Sequence, residues 1–225
     1  PLINVLLSVA IMIISGGVVI CGIAKGENDE ERSRGYTTLT LVVLFTTIGI
    51  LSLLIMLNLK RVCYLLGSND LVFPFVHDYL SIIIGAFFFF CIPNFTEAFT
   101  RLMGKPMWVL TSGIICCMMN VILDWLFVLT WNWGMTGAAI ATCMANTIAA
   151  LVLLRNVRFG KIQGGIVEIR KIFFNGSSEL MTSVSSAITT FVFNLILMKN
   201  IGVLGVAALT IVFYLNSIVN MSIFG

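Results

Sequence analysis

Uncharged apolar windows of bilayer length recur along the whole chain, at residues 1–24, 35–59, 79–96, 106–123, 125–154, 180–198 and 200–225. A helix that crosses the hydrocarbon core needs ~20 mostly apolar residues. Segments of this kind are unstable in water, so lipid is the solvent this chain is built for. Composition agrees: 59% of the residues are hydrophobic and 10% charged, and the mean hydropathy is +1.07, far from the usage of soluble domains. The spans are helical, because barrel strands would read as alternating segments of about ten residues.

Asp124 separates two of these windows without ending a helix, since the break signal comes later, at Asn132, Trp133 and Gly134. The expected fold is therefore all-α and polytopic, with seven transmembrane helices at about 1–24, 36–58, 78–100, 106–130, 135–154, 176–198 and 202–225. The chain reads as a piece of a longer protein, because it begins at Pro1 inside one apolar run and stops at Gly225 inside another. No basic segment with a small-residue cleavage site marks a secretory signal.

Helical hairpins place loops 24–35, 101–106 and 155–175 on one side of the membrane. That side holds Lys25, Arg32, Arg34, Arg101, Lys105, Arg155, Arg158, Lys161, Arg170 and Lys171, ten of the 13 basic residues, against Lys60, Arg61 and Lys199 opposite. Basic loops stay in the cytoplasm, so this side is expected to be cytoplasmic. Orienting the helices accounts for the basic loops, and no nucleic-acid partner is expected.

Several local features have plain structural readings. The first basic loop is a solvated turn. His77 ends an outer loop over 59–77 near the headgroups, and Trp131 and Trp133 fit the interfacial aromatic belt. Pro93 should kink the third span, and Glu97 can pair with Arg101 one turn on. Ser177 or Ser178 should cap the sixth helix, with Glu179 in its first turn. The six cysteines form no CxxC pair or Cys/His cluster, so they read as small apolar fillers.

Polar residues at four-residue spacing share one helix face. Such lines occur in the fourth span (Ser112, Cys116, Asn120, Asp124), the fifth (Thr142, Asn146) and the sixth (Ser178, Thr182, Ser186, Thr190, Asn194). In the fifth they flank a small-residue seam of Gly137, Ala141, Ala145 and Ala149, which lets helix backbones approach closely in lipid. The fourth and fifth spans form an antiparallel hairpin, so Asp124, Asn120 and Thr142 converge at similar depth. An ionisable group inside a bilayer costs at least ~2.5 kcal/mol and is functional by default. Carboxylate, amide and hydroxyl oxygens suit a hard cation, and a desolvated carboxyl serves a proton equally well.

Those residues also carry a resemblance. Phe99, Thr100, Arg101, Leu102, Met103, Gly104, Lys105 and Pro106, then Asn120 with Asp124, then Gly134, Gly137 and Thr142 in their Gly-Ala-Ala-x-Ala-Thr context, resemble the multidrug and toxic compound extrusion (MATE) transporters, especially DinF-like and MepA-like members. Gly22 to Gly26 after the first span, Leu66 with Gly67, Tyr79 with Leu80, and Asn175 to Met181 echo it. The resemblance implies helices two through eight of a twelve-helix protein in two six-helix lobes. Residues 1–154 would be most of the N-lobe, 155–175 the cytoplasmic inter-lobe linker, and 176–225 the start of the C-lobe. It further implies exchange of Na⁺ or H⁺ for small organic, often cationic, substrates by alternating access. Asn120, Asp124 and Thr142 match the family's N-lobe cation site, including a possible bound Na⁺. Asn146, Thr182, Ser186, Thr190 and Asn194 are candidates to line the substrate cavity. The expected setting is a bacterial-type plasma membrane, with no cofactor beyond the coupling ion and a monomeric full-length protein.

A lipid-linked oligosaccharide flippase of the same superfamily is the alternative. Flippases tend to line their cavity with arginine or lysine, and these helix interiors hold none. No enzyme is expected: hydrolase, metalloprotease and nucleotide-binding signatures are all missing.

Overall fold

The computed structural model describes residues 2–65, 73, 80, 81, 83–200, 209 and 211–216. Among them the fold is all-α, with no strand. The helices are α1 (Leu2–Gly26), α2 (Glu30–Leu57), α3 (Leu59–Leu65), α4 (Phe87–Leu102), α5 (Pro106–Asp124), α6 (Gly134–Leu154) and α7 (Ile166–Asn200), with a π-helical turn at Trp125–Thr130 continuing α5. Three of these, Leu2–Gly26, Glu30–Leu57 and Pro106–Thr130, are long and apolar enough to cross a membrane by length and composition. His77 and most of the seventh expected span lie outside the described residues. The chain divides into two compact units, Pro1–Leu180 and Met181–Gly225.

In the first unit α1, α2 and α4 enclose a core of Ile13, Leu44, Ile48, Phe87, Phe95 and Phe99. Lipid is as apolar as these side chains, so close packing and interhelical hydrogen bonds hold such a core rather than escape from water. Small and hydroxylated residues make the close packing possible. Gly17 of α1 faces the Thr40 side chain of α2, where any Cβ would collide. Ser33 Oγ donates to the Cys21 carbonyl across the same interface at 3.2 Å. Thr37 and Thr40 return their hydroxyl protons to Ser33 and Tyr36 carbonyls one turn back, at 3.0 and 2.8 Å. Each of these three hydroxyls thus has an acceptor, as an apolar surrounding demands.

The outward surface is the inverse of a soluble protein's. On α5 and its π turn, Ile114, Met118, Val121 and Leu129 are all more than half exposed, a face suited to lipid. α4 runs through Pro93 without ending, and its Glu97 lies 3.9 Å from Arg101, the expected one-turn pair.

Two helix starts differ from the sequence expectation. α2 begins at Glu30 rather than near 36, with Asp29 accepting the Arg32 N–H as N-cap and Asn28 turning the chain at φ 60°. The expected loop of 24–35 is therefore a three-residue turn. α7 begins at Ile166, ten residues before the expected 176. Ser177 and Ser178 lie inside it and donate to the Phe174 and Asn175 carbonyls, so neither is a cap. Glu168 has that role instead: its Oε2 accepts the Gly165 N–H at 2.8 Å. In both places hydropathy marks where a helix enters lipid, and the charged turn before that point is already helical.

Candidate cation site

Site geometry starts from the α5–α6 hairpin. Asn132 at φ 55° and Gly134 at φ 56° supply the two left-handed residues that reverse the chain, as the break at 132–134 requires. Phe127 is buried between Trp131 and Trp133, with ring centroids 5.2 and 5.3 Å away. Gly137 sits under this cluster, and a Cβ there would lie 2.9 Å from Trp133 Cβ. Ala141 and Ala145 are fully buried and Ala149 is 7% exposed, so the expected small-residue seam is the surface α6 packs with.

The polar lines meet across that seam. Asn120 Nδ2 donates to Thr142 Oγ1 at 3.3 Å, while Thr142 Oγ1 donates to the Ala138 carbonyl at 3.0 Å. The amide oxygen of Asn120 and one lone pair of the hydroxyl are not consumed by these two bonds. One turn along α5, Asp124 is half-buried, and its Oδ1 is enclosed with no hydrogen-bond partner. A buried carboxylate oxygen left unsatisfied costs on the order of 1–3 kcal/mol or more.

Asp124 is also the last α-helical residue before the π turn. Thr130 Oγ1 reaches back five residues to the Trp125 carbonyl at 3.3 Å, and Trp131 N–H donates to the Leu126 carbonyl at 3.0 Å. π turns insert an extra residue and concentrate at functional sites. No sequence signal announced this one.

Asn146 joins this seam as well. Its Nδ2 donates to the Thr142 carbonyl at 2.9 Å and its Oδ1 faces Cys116 Sγ at 3.7 Å. It therefore extends the α5–α6 polar seam by a turn. Cys116 belongs to the same seam, so it is more than a filler. Among the described residues no group of three His, Cys, Asp or Glu could hold a metal ion.

The second unit holds the serine-threonine line from Thr182 on. Thr182, Ser186 and Thr190 border an open cavity of about 540 Å³ together with Met181, Ser185, Thr189 and Phe213. Thr190 Oγ1 donates to the Ser186 carbonyl at 2.9 Å. The Asn194 side chain lies outside the described residues.

The MatE family model matches residues 1–126 of the 225. The chain belongs to the MatE family. Multidrug export protein MepA of Staphylococcus saprophyticus is 24% identical over 95 residues, covering 42% of this chain and 21% of MepA. A solved multidrug resistance MATE transporter of the MOP superfamily, in its outward-facing conformation, has a TM-score of 0.83 at 16% identity, covering 97% of this chain and 51% of its own. The Vibrio cholerae MATE transporter VcmN in its bent form has a TM-score of 0.81 at 19% identity, covering 94% and 50%. At these identities the solved structures establish the fold, an all-α membrane fold of the MATE type. The chain spans about half the length of the solved relatives it matches.

Proposed function

We propose that this MatE chain is part of a secondary multidrug antiporter that exchanges Na⁺ or H⁺ for small organic cations. The unpartnered Oδ1 of Asp124, one helical turn along α5 from Asn120 of the Asn120–Thr142 pair, carries this reading. Occupancy of that niche satisfies a buried acceptor and so favours whichever conformation holds the niche closed. A coupling ion shifts the two states only by its differential affinity for them, and an acceptor buried in one state is a direct source of such a difference.

In this reading residues 1–154 contribute most of one lobe, 155–175 the cytoplasmic connection, and 176–225 the opening of the second lobe. The Thr182, Ser186 and Thr190 cavity is a subsite for substrate, with hydroxyls and Phe213 to face an amphipathic cation. The basic loops lie in the cytoplasm of a bacterial-type plasma membrane. The uncharged apolar windows hold no basic residue, which favours an organic cation over a lipid-linked sugar phosphate.

Efflux of a fluorescent organic cation from cells carrying the full-length protein tests the reading. Asp124→Asn is expected to insert normally and to lose ion-driven efflux. Wild-type efflux by this variant would defeat the proposal.

A further inference from the structure

Three helices of the first unit meet at one basic turn. α4 stops at Leu102 and α5 starts at Pro106. Between them Gly104 turns the chain at φ 76°, with open space where a side chain would stand. The end of α6 lies beside this turn, because Lys105 Nζ donates to Asn156 Oδ1 at 3.0 Å. Arg101, Lys105 and Arg155 are thereby gathered at one end of the three helices, and all three are exposed.

Positive charge is concentrated here and little compensated. Glu97 Oε2 lies 3.9 Å from Arg101, too far for a hydrogen bond. Among the described residues neither Lys105 nor Arg155 forms an ion pair. Lys105 also takes the N-cap position of α5, whose first turn no side chain caps. Serine, aspartate or asparagine is the usual residue there, and the positive end of the helix dipole repels a cation. The Asn156 amide solvates the ammonium but does not neutralise it.

Both residues bonded to Lys105 keep a polar atom unsatisfied. An ammonium only donates, so it fixes the Asn156 amide with Oδ1 toward Lys105. Asn156 is 7% exposed, and its Nδ2 is buried without a partner. Thr100, whose carbonyl accepts the Lys105 N–H at 3.2 Å, is fully buried, and its Oγ1 has no partner either. Buried donors without acceptors are rare in folded proteins. An oxygen-rich anion seated at this turn supplies both the missing charge and the missing acceptors.

The surroundings select the kind of anion. Met107, Leu110 and Ile114 follow the turn at helical spacing, each more than half exposed. α5 with its π turn is long and apolar enough to cross a membrane, so this stripe runs from the basic end into hydrocarbon. Trp108 is half exposed at its start, the level at which interfacial indoles collect. Basic pockets between membrane helices take anionic headgroups; a soluble anion would make no use of the apolar stripe.

We propose that the turn carrying Arg101, Lys105 and Arg155 binds the phosphate of an anionic phospholipid, whose acyl chains lie along Met107, Leu110 and Ile114. The site needs the membrane setting and no part of the antiporter reading.

The test follows the melting temperature of the full-length protein in detergent during titration with lipid. Phosphatidylglycerol is expected to raise it saturably, at concentrations about tenfold or more below those needed for phosphatidylcholine with the same chains. Inorganic phosphate over the same range should leave it unchanged. Lys105→Gln and Arg155→Gln should each weaken the phosphatidylglycerol response about fivefold. Lys105→Arg, and Arg170→Gln at an exposed position of α7, should respond as the wild type does. Should Lys105→Gln fail to accumulate, Arg155→Gln, just past the end of α6, reads the same effect. Equal responses to the two lipids, or an equal loss in Arg170→Gln, would overturn the site and leave only diffuse attraction. A matching rise with inorganic phosphate alone would overturn the lipid and make the turn a site for soluble anions.

Discussion

Replacing Asp124 by Leu is expected to make the protein more stable and less functional at once. The carboxyl carries one oxygen that is buried with no partner, a debit of about 1–3 kcal/mol for an unsatisfied polar group. Leucine is close in volume, removes the unsatisfied acceptor and adds contacts in the α5–α6 seam, so the ion-free variant should melt at a higher temperature than the ion-free wild type. The order then reverses as the coupling ion is added. An ion bound only by the folded wild type contributes about 2.7 kcal/mol at one hundred times its dissociation constant, and Asp124→Leu gains nothing. Thermal unfolding in detergent across an ion titration reads both effects, and the two curves should cross. Ion-free Asp124→Leu protein less stable than wild type by more than about 1 kcal/mol would show that the carboxyl is paired in the apo state, and the reasoning would fail.

The Asn120–Thr142 bond should give a coupling of roughly 0.6 kcal/mol in a double-mutant cycle of Asn120→Ala with Thr142→Val, the usual size for interhelical bonds in membranes; zero coupling would mean the two side chains do not interact. Gly137→Ala places a methyl against Trp133 and Phe127 and should destabilise the hairpin by about 1–3 kcal/mol, read as a lower melting temperature; an unchanged value would mean the aromatic cluster yields. Hydrogen bonds from the Gly165 N–H and its own N–H hold the Glu168 carboxyl below the ordinary glutamate range. A carboxyl lowered on folding stabilises above its unfolded value and loses that contribution as pH falls through its folded value. Glu168→Gln should therefore flatten the acid side of the melting curve against pH, and an identical acid limb would contradict the cap.

The hairpin and the Asn120–Thr142 contact were legible because two periodicities agreed. Polar residues every fourth position fixed one face of α5 and of α6, and the turn at 132–134 fixed their relative depth, so the Asn120–Thr142 contact followed. The π turn at 125–130 left no trace in residue pattern, since an extra residue in a helix is chosen by packing of Phe127 with Trp131 and Trp133. The start of α7 was missed for another reason. Ser177 and Ser178 before Glu179 read as a capped helix start, yet here the neighbouring Gly176 lies inside the helix and its missing side chain admits the Met12 carbonyl of α1, a tertiary demand that sequence alone does not disclose.

Ion binding itself can be measured on purified full-length protein, as radiolabelled sodium retained, or protons released when sodium or substrate is added. Uptake or release that saturates in the wild type and vanishes in Asp124→Asn, with Asn120→Ala and Thr142→Val weakened, is the expected result. Equal binding by Asp124→Asn and the wild type would place the coupling ion elsewhere and leave the buried carboxyl without a role.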